Sequence, residues 1–239
     1  MLSEKPWKPE SVLRFFLGLF TSILGGVLLL NWLNFSDSPA GFNPKFITLL
    51  IGTFSFHGMA FLLTHSFLRE HDMRWSVGFG FSSSQLGRSL LLATIVGIAI
   101  LPIIWSLGEL SAKIMNSLQV KPVEQDTVQT LRSAVSLDLK MLIGILSVLV
   151  APFAEELVFR GILYPFIKQL GFPRLAFWGT SLLFAAIHNN ATIFLPLTFL
   201  AVILTLLYET TNNLLAPIVT HSLFNFANFF WLVTQPISR

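Results

Sequence analysis

Cysteine is absent from the chain, which excludes disulfides, cysteine nucleophiles and thiolate metal sites. Charge is scarce as well: Asp, Glu, Lys and Arg make up 11% of 239 residues, against roughly 25% in a soluble domain. The net charge is only +3 and no block of five basic residues occurs, so a nucleic-acid partner is not expected. An H-E-x-x-H sequence is also missing, so no pair of zinc ligands at helical spacing can be read. Internal repeats and low-complexity segments are absent too.

What the chain does have is long apolar stretches, with 54% hydrophobic residues and a mean hydropathy of +0.72. About 20 apolar residues cross a bilayer as a helix. Seven candidates run over 12–33, 46–68, 88–107, 140–165, 174–188, 193–208 and 213–233, the fifth and sixth being short. The expectation is an all-α polytopic membrane bundle, a single domain over 1–239, with an active-site cavity between the last four helices. Lys5, Lys8 and Arg14 precede a stretch too long for a signal-peptide core, with no cleavage pattern in Asn34–Ser38; it reads as a retained first span. Residues 108–139 read as an extramembrane connector with an amphipathic, interfacial portion over 123–135. Trp32, Trp105 and Trp231 suit membrane interfaces at the ends of apolar runs. Gly18, Ser22 and Gly26 make a small-residue face suited to close helix packing. Lys and Arg in the loops divide eight to six in favour of a cytoplasmic N-terminus.

Into this apolar background Ala151–Gly161 inserts Glu155, Glu156 and Arg160. Charge at membrane depth costs a few kcal/mol per group and marks function by default. Gly171-Phe172-Pro173 is a helix stop, predicting a hairpin of two antiparallel helices. Glu155 lies 16 positions before Gly171 and His188 lies 17 after it. At about 1.5 Å per residue the two reach the same depth. His221 falls near the middle of the last helix, and Asn225 shares its face at i+4. Glu156 and Arg160 are likewise an i, i+4 pair, whereas Glu155 is rotated by about 100°. One carboxylate can therefore pair with the arginine while the other faces elsewhere. The Asn189–Thr192 turn would then lie within the membrane's thickness, beside a water-filled cavity. His57, His65 and His71 read as packing or interfacial residues, and Glu109 and Glu209 as solvated helix-end residues.

Glu155-Glu156-Leu-Val-Phe-Arg160, Phe184-Ala-Ala-Ile-His188 and His221-Ser-Leu-Phe-Asn225 resemble, in order, the three motifs of the CPBP (CAAX prenyl protease and bacteriocin-processing, or Abi) family of intramembrane endopeptidases. The resemblance covers roughly residues 140–230. It implies that Glu155 activates water, that His188 positions or polarises it, and that His221 and Asn225 stabilise the oxyanion. Glu156 and Arg160 would be the supporting pair and Phe184 a wall of the site. It also implies a membrane-anchored or amphipathic peptide substrate, a multi-pass location in the cell membrane, and a bacterial member given the compact size. No cofactor is favoured. The chemical alternative is zinc, with Glu155, His188 and His221 as ligands of an open site. The functional alternative is a non-catalytic immunity or scaffold protein using the same polar cavity for binding.

Overall fold

Away from water a chain can satisfy its backbone hydrogen bonds within a single segment only as a helix, and among the described residues every regular element is helical. The computed structural model describes residues 2–33, 44–81, 85–120, 124–134 and 136–235. In chain order the elements are α1 (Pro9–Leu33), α2 (Phe46–Glu70), α3 (Leu86–Ser117), α4 (Asp126–Ser133), α5 (Leu137–Gln169), α6 (Pro173–Ala186), α7 (Ala191–Thr211) and α8 (Leu215–Thr234). A single helical turn, Trp75–Gly78, links α2 to α3.

All seven apolar segments coil into helices, and among the described residues α1, α2, α3, α5 and α7 are the ones both long and apolar enough to cross a membrane. By length and composition, five of the seven expected spans qualify among the described residues. With 14 residues, α6 rises only about 21 Å. In the 20-residue α8 the apolar character is diluted by His221, Asn225 and Asn228. The connector is also shorter than expected, because α3 continues past residue 107 to Ser117. Its amphipathic portion is α4, whose Leu131 packs with Ala134 and Ile143. Trp105 consequently lies inside α3 rather than at its end. Its indole N–H donates to Asn228 Oδ1 at 3.2 Å, and its ring lies 6.4 Å from that of Trp231.

On α1 one face buries Val12, Phe15, Leu19 and Gly26, while Leu13, Leu17, Phe20, Leu24 and Leu28 stay exposed. That row has the 3.6-residue period of a helix presenting one side to lipid. Gly18 and Gly26 do form a close-packing face: a Cβ on Gly18 would meet Leu63 at 3.0 Å, and one on Gly26 would meet Ser55 Oγ at 2.2 Å.

One end of the bundle collects the N-terminus, the α2–α3 connection and the α5–α6 and α7–α8 turns. Trp7 Nε1 donates to Gly161 O at 3.0 Å, Gln169 Nε2 to Trp7 O at 2.6 Å, and Leu214 N to Phe79 O at 2.9 Å. Glu209 is not solvated as expected. It accepts from Tyr164 Oη at 2.6 Å, from Leu2 N at 3.2 Å and from the Lys168 ammonium, because the N-terminal segment and α5 both fold over that end of α7. The predicted α5–α6 hairpin turns at Gly171, whose φ of +90° is a conformation natural to glycine.

Candidate active site

Helix α5 is not uniformly wound. Wide π turns at Leu146–Val150 and Leu157–Leu163 flank the α-helical Ala151–Glu156. Such turns release the regular register and are frequent at functional sites. Between them Glu155 and Glu156 point in different directions, as neighbours on a helix must. Glu156 is fully buried, as is Arg160, whereas the Glu155 side chain keeps 14% exposure.

The expected ion pair is formed, with Arg160 Nη1 donating to Glu156 Oε1 at 3.0 Å. Arg160 Nη2 donates to Ala201 O at 3.0 Å and Nε to Thr205 Oγ1 at 3.4 Å, both on α7. The guanidinium also lies 4.7 Å from the centroid of the Phe184 ring on α6. One arginine therefore fastens α5 to α6 and α7, using most of its donor fork. Glu156 has a further partner that helical spacing could not reveal: His221 Nδ1 lies 2.9 Å from its Oε1. A carboxylate accepts, so Nδ1 carries the proton and the imidazole is held with Nε2 turned towards Glu155.

Glu155 sits between two imidazoles. Its Oε1 is 3.8 Å from His57 Nε2 and its Oε2 is 3.8 Å from His221 Nε2. Both gaps exceed a hydrogen bond and suit either a bridging water or contraction when substrate fills the site. His188 Nδ1 lies 2.7 Å from Phe184 O; since a carbonyl only accepts, Nδ1 is protonated and, in the neutral ring, Nε2 is the acceptor. Asn225 Nδ2 donates to Ser147 O at 2.8 Å, inside the first π turn of α5. One amide proton is committed there and the other remains.

Glu155, His188, His221 and Asn225, drawn from three segments, line one cavity of about 870 Å³. Phe184 does not line it. The ring is wholly buried behind the site, edge-on to His221 at 5.6 Å between centroids, so it supports His221 and Arg160 instead of walling the cavity. His57, read from the sequence as a packing residue, also lines the cavity. It belongs to no motif. The signal that could have found it is depth: His57 lies near the middle of Phe46–Glu70, the criterion that singled out His188 and His221.

Among the described residues no three His, Asp or Glu side chains gather closely enough to hold an ion, and no step below is routed through one. What the cavity offers is a carboxylate base, imidazoles of fixed orientation and an amide donor inside an apolar enclosure. These are the components of water activation and oxyanion stabilisation.

Comparison with known proteins agrees with the part of the chain that carries these groups. Residues 137–227 match the family model described as type II CAAX prenyl endopeptidase, Rce1-like. An uncharacterized protein, YpbD, of Bacillus subtilis (strain 168) is 38% identical over 80 residues. That alignment covers 32% of this chain and 38% of the relative, so the chain spans well under half of that protein's length. No solved structure matches.

Proposed function

From the match of residues 137–227 to the family model described as type II CAAX prenyl endopeptidase, Rce1-like, we propose that the protein is an intramembrane endopeptidase. It hydrolyses a peptide bond of a membrane-associated peptide or protein, without a metal. The observation that carries this reading is the Glu155 carboxylate set between His57 and His221 in the cavity that also holds His188 and Asn225.

In this reading a water between Glu155 Oε2 and the acceptor nitrogen of His188 gives its proton to Glu155 as its oxygen adds to the scissile carbonyl. The oxyanion receives the remaining Nδ2–H of Asn225 and, from the doubly protonated ring, Nε2–H of His221. Glu155 then returns its proton to the departing amine, and the C–N bond breaks. Glu156 keeps His221 in register, and Arg160 neutralises Glu156. The apolar enclosure strengthens each of these charge–dipole interactions relative to water.

The test reconstitutes the full chain in liposomes with a quenched fluorogenic peptide anchored by a lipidated cysteine, prenylated in one series and acylated in another. Glu155→Ala and His188→Ala should abolish cleavage, and Asn225→Ala should lower kcat by about 10²–10³-fold, as loss of one oxyanion donor does. Cleavage by Glu155→Ala at the wild-type rate would overturn the assignment. A chelator should leave the rate unchanged; loss of activity restored by zinc alone would overturn the metal-free part.

A further inference from the structure

His57 reaches the site from α2, outside the matched segment 137–227, and the mechanism above gives it no task. Its ring has one ionic neighbour, Glu155 Oε1 at 3.8 Å from Nε2. The other ring nitrogen, Nδ1, is buried without a hydrogen-bond partner. A histidine held for packing alone leaves no reason for a nitrogen to be aimed at a carboxylate, and among the described residues that is its sole polar interaction. The backbone is also arranged for it. Phe54–Gly58 is a π turn within an otherwise α-helical span, and the α1 surface beside it is cut back at Gly26, which lets Ser55 approach. Phe56 meets the ring edge-on at 5.0 Å between centroids.

The two oxygens of Glu155 are therefore divided between two rings. His221 Nδ1 is engaged by Glu156, and in the mechanism above its Nε2–H goes to the oxyanion, so His221 does not hold Oε2. His57 has no partner at Nδ1 to hold a proton there, and the carboxylate opposite Nε2 favours the Nε2–H tautomer. We propose that His57 is a positioning residue for Glu155: its Nε2–H closes on Oε1 when substrate and water occupy the cavity. That contact fixes the carboxylate plane, and the proton of water goes to Oε2. The proposal rests on the reading of Glu155 as the base and adds to it a residue supplied from beyond the family-matched segment.

The same liposome assay tests it with His57→Phe, which keeps the ring and removes the donor, and His57→Gln, whose amide N–H reaches the Nε2 position. His57→Phe should lower kcat by about 10²-fold, the effect of a misaligned reacting group, with KM within about two-fold of wild type. His57→Gln should recover most of that loss. A His57→Phe rate near wild type would overturn the proposal. So would equal losses in both variants accompanied by equal drops in unfolding temperature, which mark a packing role. Should His57→Phe fail to fold, His57→Ala assayed with added imidazole decides: a rate increase supports the proposal and none overturns it. Cleavage that survives Glu155→Ala sinks the base assignment itself, an outcome separate from any result at His57.

Discussion

Glu156 and Arg160 are a buried pair whose cost and purpose differ. Removing two charges from water offsets most of their mutual attraction, so such a pair contributes little net stability, whereas breaking it strands a charge at about 3–5 kcal/mol. Here it orients His221 through the 2.9 Å contact to Glu156. Arg160→Met should therefore lower the unfolding temperature in detergent sharply, and Glu156→Gln with Arg160→Met should recover part of that loss without recovering activity. A double variant as unstable as Arg160→Met alone would contradict this account. The i, i+4 pairing was legible because the chain itself sets that distance. The Glu156–His221 contact was not, since 65 residues separate the two.

Helix α8 carries His221 and Asn225 and is held against α3 at very short range. Thr220 Oγ1 donates to Ala93 O at 2.8 Å, and a Cβ on Gly97 would meet Leu223 at 3.1 Å. Gly97→Leu should force α8 outward, costing about 1–3 kcal/mol by overpacking and displacing both site residues. Circular dichroism melts in detergent read the first effect and kcat the second; an unchanged kcat would show that α8 is not located by this contact. Long apolar runs announced these helices, but not the π turns in α2 and α5, since no residue type encodes an i→i+5 bond. The α5–α6 and α6–α7 turns were both legible. Gly171 closes the first, and Asn190 caps α7 by accepting from Thr192 N at 3.0 Å.

Across the whole molecule, residues 2–8, 70–81, 170–173 and 212–214 gather at one end. The cavity extends from Glu155 towards the opposite end, past Trp105 to Val128 of α4 and Trp231 of α8. The absence of cysteine makes the arrangement measurable with single engineered thiols. Glu4→Cys and Arg174→Cys should react with an impermeant maleimide from one face of sealed vesicles, and Ser117→Cys and Gln235→Cys from the other. The loop count leads us to propose that the first face is the cytoplasmic one. Labelling of residues 4 and 174 from opposite faces would overturn this topology.

Apolar composition and spacing by themselves determined the helical class, the membrane setting, the hairpin at Gly171 and the Glu156–Arg160 pair, because each follows from local geometry along the chain. Depth arithmetic brought Glu155, His188 and His221 to one level. Tertiary structure alone decided which nitrogen of His221 faces Glu155, moved Phe184 behind the site and brought His57 into it. It also turned Glu209 from a solvated residue into a tie between three segments. Those are contacts between elements, set by crossing distances and helix rotation, and one-dimensional periodicity carries no record of either.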